Sequence, residues 1–333
     1  MNMMPASRAL EDLVLTDVRG RLEHVAALMA VSWQENQELT LDYSVPFLAS
    51  CYEYPGALPA LALGLSRGDQ LVAFKAGFPR RLSVLGQPRD LLLSTFLTVS
   101  PPFKRRGLGR FMLVETLRQA RCAGYGGSLH FCPDGTPSNA IVLSALETVG
   151  AQALPLFDIR YLVRFLKPPT RATSASPADP AVCAGLLSEA AASVAHSLPV
   201  ARLWNPATAE WQCGGRRGAL TEVYETDGRR GLVTGYVADV ADAARTSCLF
   251  VEDIFWGSLE APEQDRLVTG LLARASTLAN LAVIPILGYA DLRAFARAGF
   301  RRTPRLVHAY LGLWDAGDCR SIANSPAVYL DVL

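Results

Sequence analysis

Val99-Ser100-Pro101-Pro102-Phe103-Lys104-Arg105-Arg106-Gly107-Leu108-Gly109-Arg110 stands between an apolar run over residues 91–99 and a segment of helical periodicity. A strand that ends in a basic, glycine-bearing turn and passes straight into a helix builds an anion site. The first turn of a helix presents unpaired backbone N–H groups and a partial positive charge. Gly107 and Gly109 remove Cβ atoms where a phosphate must come close to the backbone. Lys104, Arg105, Arg106 and Arg110 surround that point with positive charge. An ordinary solvated helix start would leave these cations facing the unfavourable end of the helix dipole. The stretch points to a phosphate-bearing cofactor held on a strand–turn–helix unit.

The 333 residues exceed one average domain, and two are the natural expectation. A net charge of +1 argues against bulk nucleic-acid affinity. No aromatic residue interleaves with the basic loop beyond Phe103, as a nucleic-acid groove would require. The seven cysteines, at positions 51, 122, 132, 183, 213, 248 and 319, are odd in number and lack paired metal spacing. They read as the reduced thiols of a cytoplasmic protein. No basic region leads into an apolar core at the start, so no secretory leader is expected. Apolar runs such as residues 56–65 and 281–287 fall far below the roughly 20 residues of a membrane span.

Residues 168–180 are rich in proline and small polar side chains, and they divide residues 1–167 from residues 181–333. In the first unit, residues 17–32 and 40–53 read as helices, the second broken or delayed by Pro46. Strands follow over residues 58–65 and 71–78, joined at Ser66-Arg67-Gly68-Asp69, then over 91–99. The leucines of 91–99 suggest burial on both faces. Residues 106–123 read as a helix with a stripe at Leu113, Val114, Leu117 and Ala120, ended by Gly124. A strand over 128–132, a helix over 138–149 capped by Ser138 or Asn139 and stopped by Gly150, and a strand over 159–166 complete the unit. The second unit repeats the back end of this order: helix 262–278, strand 282–287, helix 291–298 capped by Asp291 and stopped by Gly299, strand 305–313. Gly150 precedes Tyr161-Leu162 by 11 residues, and Gly299 precedes Tyr310-Leu311 by 11. The shared register suggests a duplication.

These residues resemble the GNAT acyltransferase superfamily. Its acyl-CoA motif runs Gln/Arg-x-x-Gly-x-Gly/Ala after a strand ending in Val-x-Pro. Val99-Ser100-Pro101 matches the strand end, and Lys104-Arg105-Arg106-Gly107-Leu108-Gly109 matches the loop, with Lys104 in place of Gln or Arg. Asn139 to Gly150 is similar to the family's second motif, with Ala151 where Phe is usual. The resemblance is strong over residues 90–166. It is fainter in the second half, where residues 289–300 are close to the family's ending. There the loop before the long helix is Gly257-Ser258-Leu259-Glu260-Ala261-Pro262-Glu263, without Gly-x-Gly and with two glutamates where a pyrophosphate would sit.

The resemblance implies an α/β fold of two tandem GNAT-like domains, each a mixed, largely antiparallel sheet flanked by helices. The second would be degenerate and would shape the acceptor site or brace the first. It implies an acyl-CoA-dependent N-acyltransferase that moves an acetyl or other acyl group to an amine, borne on a small molecule or peptide. The chain would act as a monomer or weak dimer. The alternative is a non-catalytic acyl-CoA-binding protein, or a member adapted to a carrier-bound thioester. Beside the loop residues 104–110, Leu97 and Val99 would pair through their backbones with the pantetheine arm, and a strand N–H would polarise the thioester carbonyl. Asn139 serves either the cofactor arm or the helix cap. Leu146 stands where the family often places a Tyr acid, and Tyr125 and Tyr161 lie elsewhere in the sequence. Either the thiolate leaves without this acid, or Cys132 or His130 serves in its place, and His130 is also a candidate base. Glu35, Glu38, Asp42 and Glu53 read as solvated residues of the substrate-facing region. Glu252-Asp253 is a candidate for a cationic acceptor. Phe96 and Phe131 would limit pocket depth or pack in the core.

Overall fold

The structure, a computed structural model, describes residues 12–33, 40–168, 179–241, 246–315, 317 and 319–332. The first half runs β1 (Val14–Asp17), α1 (Leu22–Trp33), β2 (Thr40–Leu41), α2 (Val45–Tyr52), β3 (Leu61–Arg67), β4 (Gln70–Val84), β5 (Gln87–Val99), α3 (Leu108–Cys122), β6 (Gly127–Pro133), α4 (Ser138–Thr148) and β7 (Gln152–Phe165). The second runs α5 (Pro180–Ala195), β8 (Val200–Arg202), α6 (Pro206–Glu210), β9 (Ala219–Thr226), β10 (Arg229–Ala241), β11 (Thr246–Phe255), α7 (Ala261–Ala275), β12 (Leu281–Ile286), α8 (Arg293–Arg297) and β13 (Arg301–Leu313). The segments β3 to β7 and β9 to β13 follow the same order, strand–strand–strand–helix–strand–helix–strand. This is the repeat that the spacing after Gly150 and Gly299 suggests.

The strands form one continuous sheet, β1-β3-β4-β5-β6-β13-β7-β12-β11-β10-β2, with β8 beside β4 and β9 beside β10. Two pairs are parallel, β5 with β6 and β11 with β12; the others are antiparallel. The sequence suggests one sheet per half, and the structure joins them by exchange. β7 leaves its own half to pair with β12, β13 pairs with β6, and β7 and β13 pair with each other. Each final strand thus has both edges satisfied, and no open sheet edge is left at the centre.

Local chemistry explains where the elements start. β5 is buried on both faces at its centre, Leu91 to Ser94, as its leucine run suggests. Leu113, Val114, Leu117 and Ala120 of α3 are all buried, three of them packed with Val142, Ala145 and Leu146 of α4. The first helix begins five residues later than its apolar pattern suggests. Asp17 accepts hydrogen bonds from the Arg19 backbone N–H at 2.9 Å and from Arg19 Nε at 2.8 Å, which fixes a turn, and residues 14–17 form a strand instead. Pro46 sits in the first turn of α2 and starts that helix, while residues 40–41 pair with β10 across the molecule. The α4 helix is not capped by Ser138 or Asn139. Pro137 occupies the cap, and Ser138 hydrogen-bonds Thr136 instead. Asp291 does accept the Arg293 N–H, at 3.0 Å, before the short α8. Most of the proline-rich segment, and with it Glu35, Glu38 and the side chain of Cys319, lies outside the described residues; the segment's last two residues start α5, with Asp179 capping Ala181 N at 2.9 Å. Among the described residues, no helix is long and apolar enough to cross a membrane.

Candidate functional site

The basic loop is shaped as an anion cradle. Pro101–Phe103 form one 3-10 turn, Arg105 has φ 62°, and Gly107 has φ 80° at the N-cap of α3. That left-handed conformation favours glycine. No side chain caps the helix, so its first N–H groups point into the loop. A Cβ at Gly107 would meet nothing within 4 Å, so the approach to the backbone there is open. The exposed Arg106 lies over the Phe103 ring at 5.4 Å. Arg110 is directed elsewhere: its Nε donates to Ser144 Oγ at 2.8 Å and its Nη2 to Thr148 Oγ1 at 2.7 Å, tying α3 to α4.

Below the loop the sheet opens. The parallel ladder between β5 and β6 ends at Ser94 opposite His130, while β5 continues to Val99. β5 bulges against β4 between Thr95 and Thr98, and Phe96 takes φ 59°. Leu97 and Val99 therefore lie on a strand segment whose β6-facing backbone has no ladder partner. On α4, the Oδ1 of Asn139 is buried and has no hydrogen-bond partner. A buried amide oxygen without a donor is costly unless a ligand supplies one.

A cavity of about 450 Å³ runs from this gap. Its walls come from both faces of the sheet: Leu113, Cys132 and Val142 on the α3–α4 side, Trp33, Tyr43 and Phe96 on the other. It extends to Phe250, Leu281 and Val283 of the second half. Phe96 and Phe131 both line it. His130 and Cys132, which the sequence proposes as acid or base, are also on its wall. His130 is buried, 2.8 Å from Ser128 Oγ, and burial with the nearby Lys75 pushes its pKa down to about 3. The imidazole is therefore neutral throughout the ordinary pH range. Burial pushes the Cys132 thiol up to about 11.

Sequence reasoning misses three cavity groups. Tyr161, set aside on sequence distance, lines the wall, with its phenol pushed up by burial to about 12. Arg305 lies 6.0 Å from its ring centroid. Lys75 stands inside an apolar strand, where the lone cation of residues 71–78 is the only sequence signal. Leu146 is fully buried between the helices. Asp42 and Glu53 are exposed, as solvated residues are.

The equivalent place in the second half is filled by the protein itself. β11 bulges against β10 at Glu252. Glu252 Oε2 accepts from Gln212 Nε2 at 2.6 Å and from Arg216 Nη1 at 2.8 Å. Asp253 accepts from Thr234 Oγ1 at 2.6 Å and from the Tyr329 hydroxyl at 2.5 Å. Glu252 and Asp253 are thus buried and engaged through these bonds, while Glu252 also lines the cavity and its Oε1 has no hydrogen-bond partner. At the start of α7, Glu263 accepts the Glu260 N–H at 2.8 Å, and Arg229 bridges Glu260 at 2.9 Å and Glu263 at 2.7 Å. No side chain caps α3, whereas carboxylates stand at the start of α7, Glu263 on the Glu260 N–H and both bridged by Arg229.

No family model matches the sequence, and no curated protein does. Solved structures do. The N-myristoyltransferase of Saccharomyces cerevisiae with bound myristoyl-CoA superposes with a TM-score of 0.73 at 12% identity, over 100% of this chain and 91% of that one. A tandem GNAT protein from the clavulanic acid biosynthesis pathway matches at TM-score 0.58 and 13% identity, over 92% of this chain and 100% of that one. A GCN5-related N-acetyltransferase from Kribbella flavida matches at 0.50 and 15%, over 92% and 72%. The shared topology, including its duplication, shows that this chain has the fold of the GNAT N-acyltransferases, built twice in tandem.

Proposed function

We propose that the protein is an acyl-CoA-dependent N-acyltransferase whose donor binds the first half and carries an acyl chain longer than acetyl. The observation that carries this reading is the continuity of three features: the bare, basic N-terminus of α3, the unpaired edge of β5 and the apolar cavity of about 450 Å³. The residues fit such a donor. The N–H groups of Leu108 and Gly109, with Lys104, Arg105 and Arg106 around them, suit the phosphates. The backbone of Leu97 and Val99 suits the amides of the pantetheine arm, and the unpaired Oδ1 of Asn139 offers that arm an acceptor. The thioester supplies an activated acyl group. The backbone N–H groups at the Phe96 bulge would polarise its carbonyl, and the walls would exclude water and hold an acceptor amine in line. A two-carbon acetyl group would fill little of the cavity, whereas each further methylene buried there gains about 0.8 kcal/mol.

A second reading, acyl-CoA binding without transfer, is supported by the neutral His130 and by Leu146 at the usual place of an acid. The two readings part on free CoA. Calorimetric titration with acyl-CoAs should give one equivalent bound, lost in Gly109→Glu. A screen of amines should then release CoA with one of them. Tight binding without CoA release from any amine leaves the second reading; no binding of any acyl-CoA removes both.

A further inference from the structure

Lys75 projects from β4 into the cavity wall and is 2% exposed. Its Nζ donates to the Thr95 carbonyl at 2.7 Å and to the Ala76 carbonyl at 3.3 Å. Thr95 is the last residue of β5 before the Phe96 bulge, so the nitrogen stands at the mouth of the gap between β5 and β6. Among the described residues no carboxylate pairs with it. The titratable groups that face it are His130 and Cys132 of β6, a neutral imidazole and a thiol. An ammonium there would have no carboxylate partner among the described residues, and burial brings its pKa down to about 7. A neutral amine has two N–H groups and one lone pair. The two carbonyls take both hydrogens, and the lone pair is left unengaged.

The residue type sharpens the point. Of the chain's 32 cationic residues only Lys75, Lys104 and Lys167 are lysines; the other 29 are arginines. A guanidinium does not shed its proton in a protein, whereas an amine does. At its buried wall the chain carries one of its three amine side chains.

We propose that Lys75 is an internal acyl acceptor, attacking the carbonyl carbon of a thioester bound in the β5–β6 gap when no external amine is present. The C–N bond forms as the C–S bond breaks, the nitrogen loses one proton, and the departing CoA thiolate takes up one. The products are an Nε-acyl-lysine and free CoA. The inference rests on the donor site proposed above.

The test is mass spectrometry of the intact protein and its peptides after incubation with octanoyl-CoA, beside calorimetric binding of the same donor. The expected result is one acyl group per chain on Lys75, with one equivalent of CoA released. The exposed Lys104 and Lys167 serve as internal controls for uncatalysed acylation. Lys75→Met should bind octanoyl-CoA and stay unmodified. The rate should rise about tenfold from pH 6 to pH 8 and then flatten, whereas an ordinary lysine, with a pKa near 10.4, would keep gaining about tenfold per pH unit. A readout free of donor comes from NMR of the protein labelled with 13C at the lysine ε-carbons. Three signals are expected, and the one lost in Lys75→Met should titrate near pH 7. Binding without an adduct, an adduct on Cys132 or equally on all three lysines, or a Lys75 signal that titrates near pH 10 overturns the proposal while the donor site stands. Absence of binding takes down both.

Discussion

Lengthening the acyl chain of the donor from two carbons to eight tests the cavity most directly. The CoA portion stays constant, so the contacts at the α3 loop cancel and the difference reports the cavity alone. Its volume of about 450 Å³ is walled mainly by apolar side chains, Phe96, Phe131, Val163, Phe250, Leu281 and Val283 among them, beside the polar Lys75, His130, Glu252 and Arg305. A methylene moved from water into such surroundings gains about 0.8 kcal/mol, and six of them about 5 kcal/mol. Ordering the chain opposes this, and halving the gain gives a lower figure of about 2.5 kcal/mol. At 1.4 kcal/mol per tenfold, octanoyl-CoA should bind roughly 60-fold to several thousand-fold more tightly than acetyl-CoA. Competition calorimetry against free CoA would read this ratio. Val283→Phe, at the second-half end of the cavity, should reduce the advantage of the longer chain and leave acetyl-CoA unchanged. If octanoyl-CoA and acetyl-CoA bind within threefold of each other, the cavity does not take the acyl chain and the reasoning fails.

At the loop, Gly109→Ala should leave the fold intact, since its new Cβ would find its nearest neighbours, Ile141 and Leu97, at 3.7 Å; Gly109→Glu should fold, as judged by circular dichroism, and lose acyl-CoA binding at least 100-fold in calorimetry, roughly the cost of facing phosphates with a carboxylate. Asp331 is buried between Arg80 at 2.5 Å and Arg202 at 3.2 Å, and although burial alone would raise its pKa, these guanidiniums hold it below the usual carboxylate value. Asp331→Asn should therefore cost about 3–5 kcal/mol in denaturant unfolding, with the slope unchanged; a loss below 1 kcal/mol would contradict the pairing. His308 bridges Asp158 at 2.8 Å and Asp134 at 3.2 Å, and the bond to Asp158 raises its pKa. Its contribution is fully present below the unfolded value near 6.5 and disappears as pH rises through the higher folded value. The melting temperature of the wild type should exceed that of His308→Gln at pH 5.5 and match it at pH 9.

What was legible in the sequence is what local chemistry dictates. The α3 loop announces itself because close approach of a phosphate needs missing Cβ atoms and nearby cations, and Gly107 does take the left-handed conformation. The stripe of α3 shows because its opposite face is wet. Gly124, Gly150 and Gly299 mark helix ends because each takes positive φ. The strand exchange was not legible: β7 and β13 carry similar apolar patterns, and the choice between β6 and β12 as neighbour is made by the assembled sheet. Residues 181–256 gave little signal because α5 is rich in alanine, with no sharp polar face, and β9 to β11 lie on a sheet whose partners are far away in sequence. Lys75 was hidden for a different reason. Periodicity sees a polar residue in an apolar strand as an interruption, and only packing shows it to be a buried group at a gap.

The two halves differ at equivalent places, and the difference has a structural consequence. Both copies keep the parallel pair, the bulge and the helix that follows. In the first copy the bulge carries Phe96 and opens on an apolar cavity. In the second it carries Glu252, and the space beside it is taken by Arg216, whose guanidinium lies 3.4 Å from the Tyr236 ring centroid. The carboxylate network around it does more than close a gap. Asp253 holds Tyr329, Asp331 holds Arg80 of β4 and Arg202 of β8, and Arg202 stacks on Trp204 at 3.5 Å. Buried charges of this kind add little net stability over apolar packing, but they tolerate few alternative arrangements. They pin the C-terminal segment, which crosses the centre of the molecule and brings Val332 to the cavity wall, to strands of both halves. An open gap beside the second bulge would leave no room for these side chains. The closed place in the second half and the fixing of the cavity wall in the first are thus built from one connected set of buried charges.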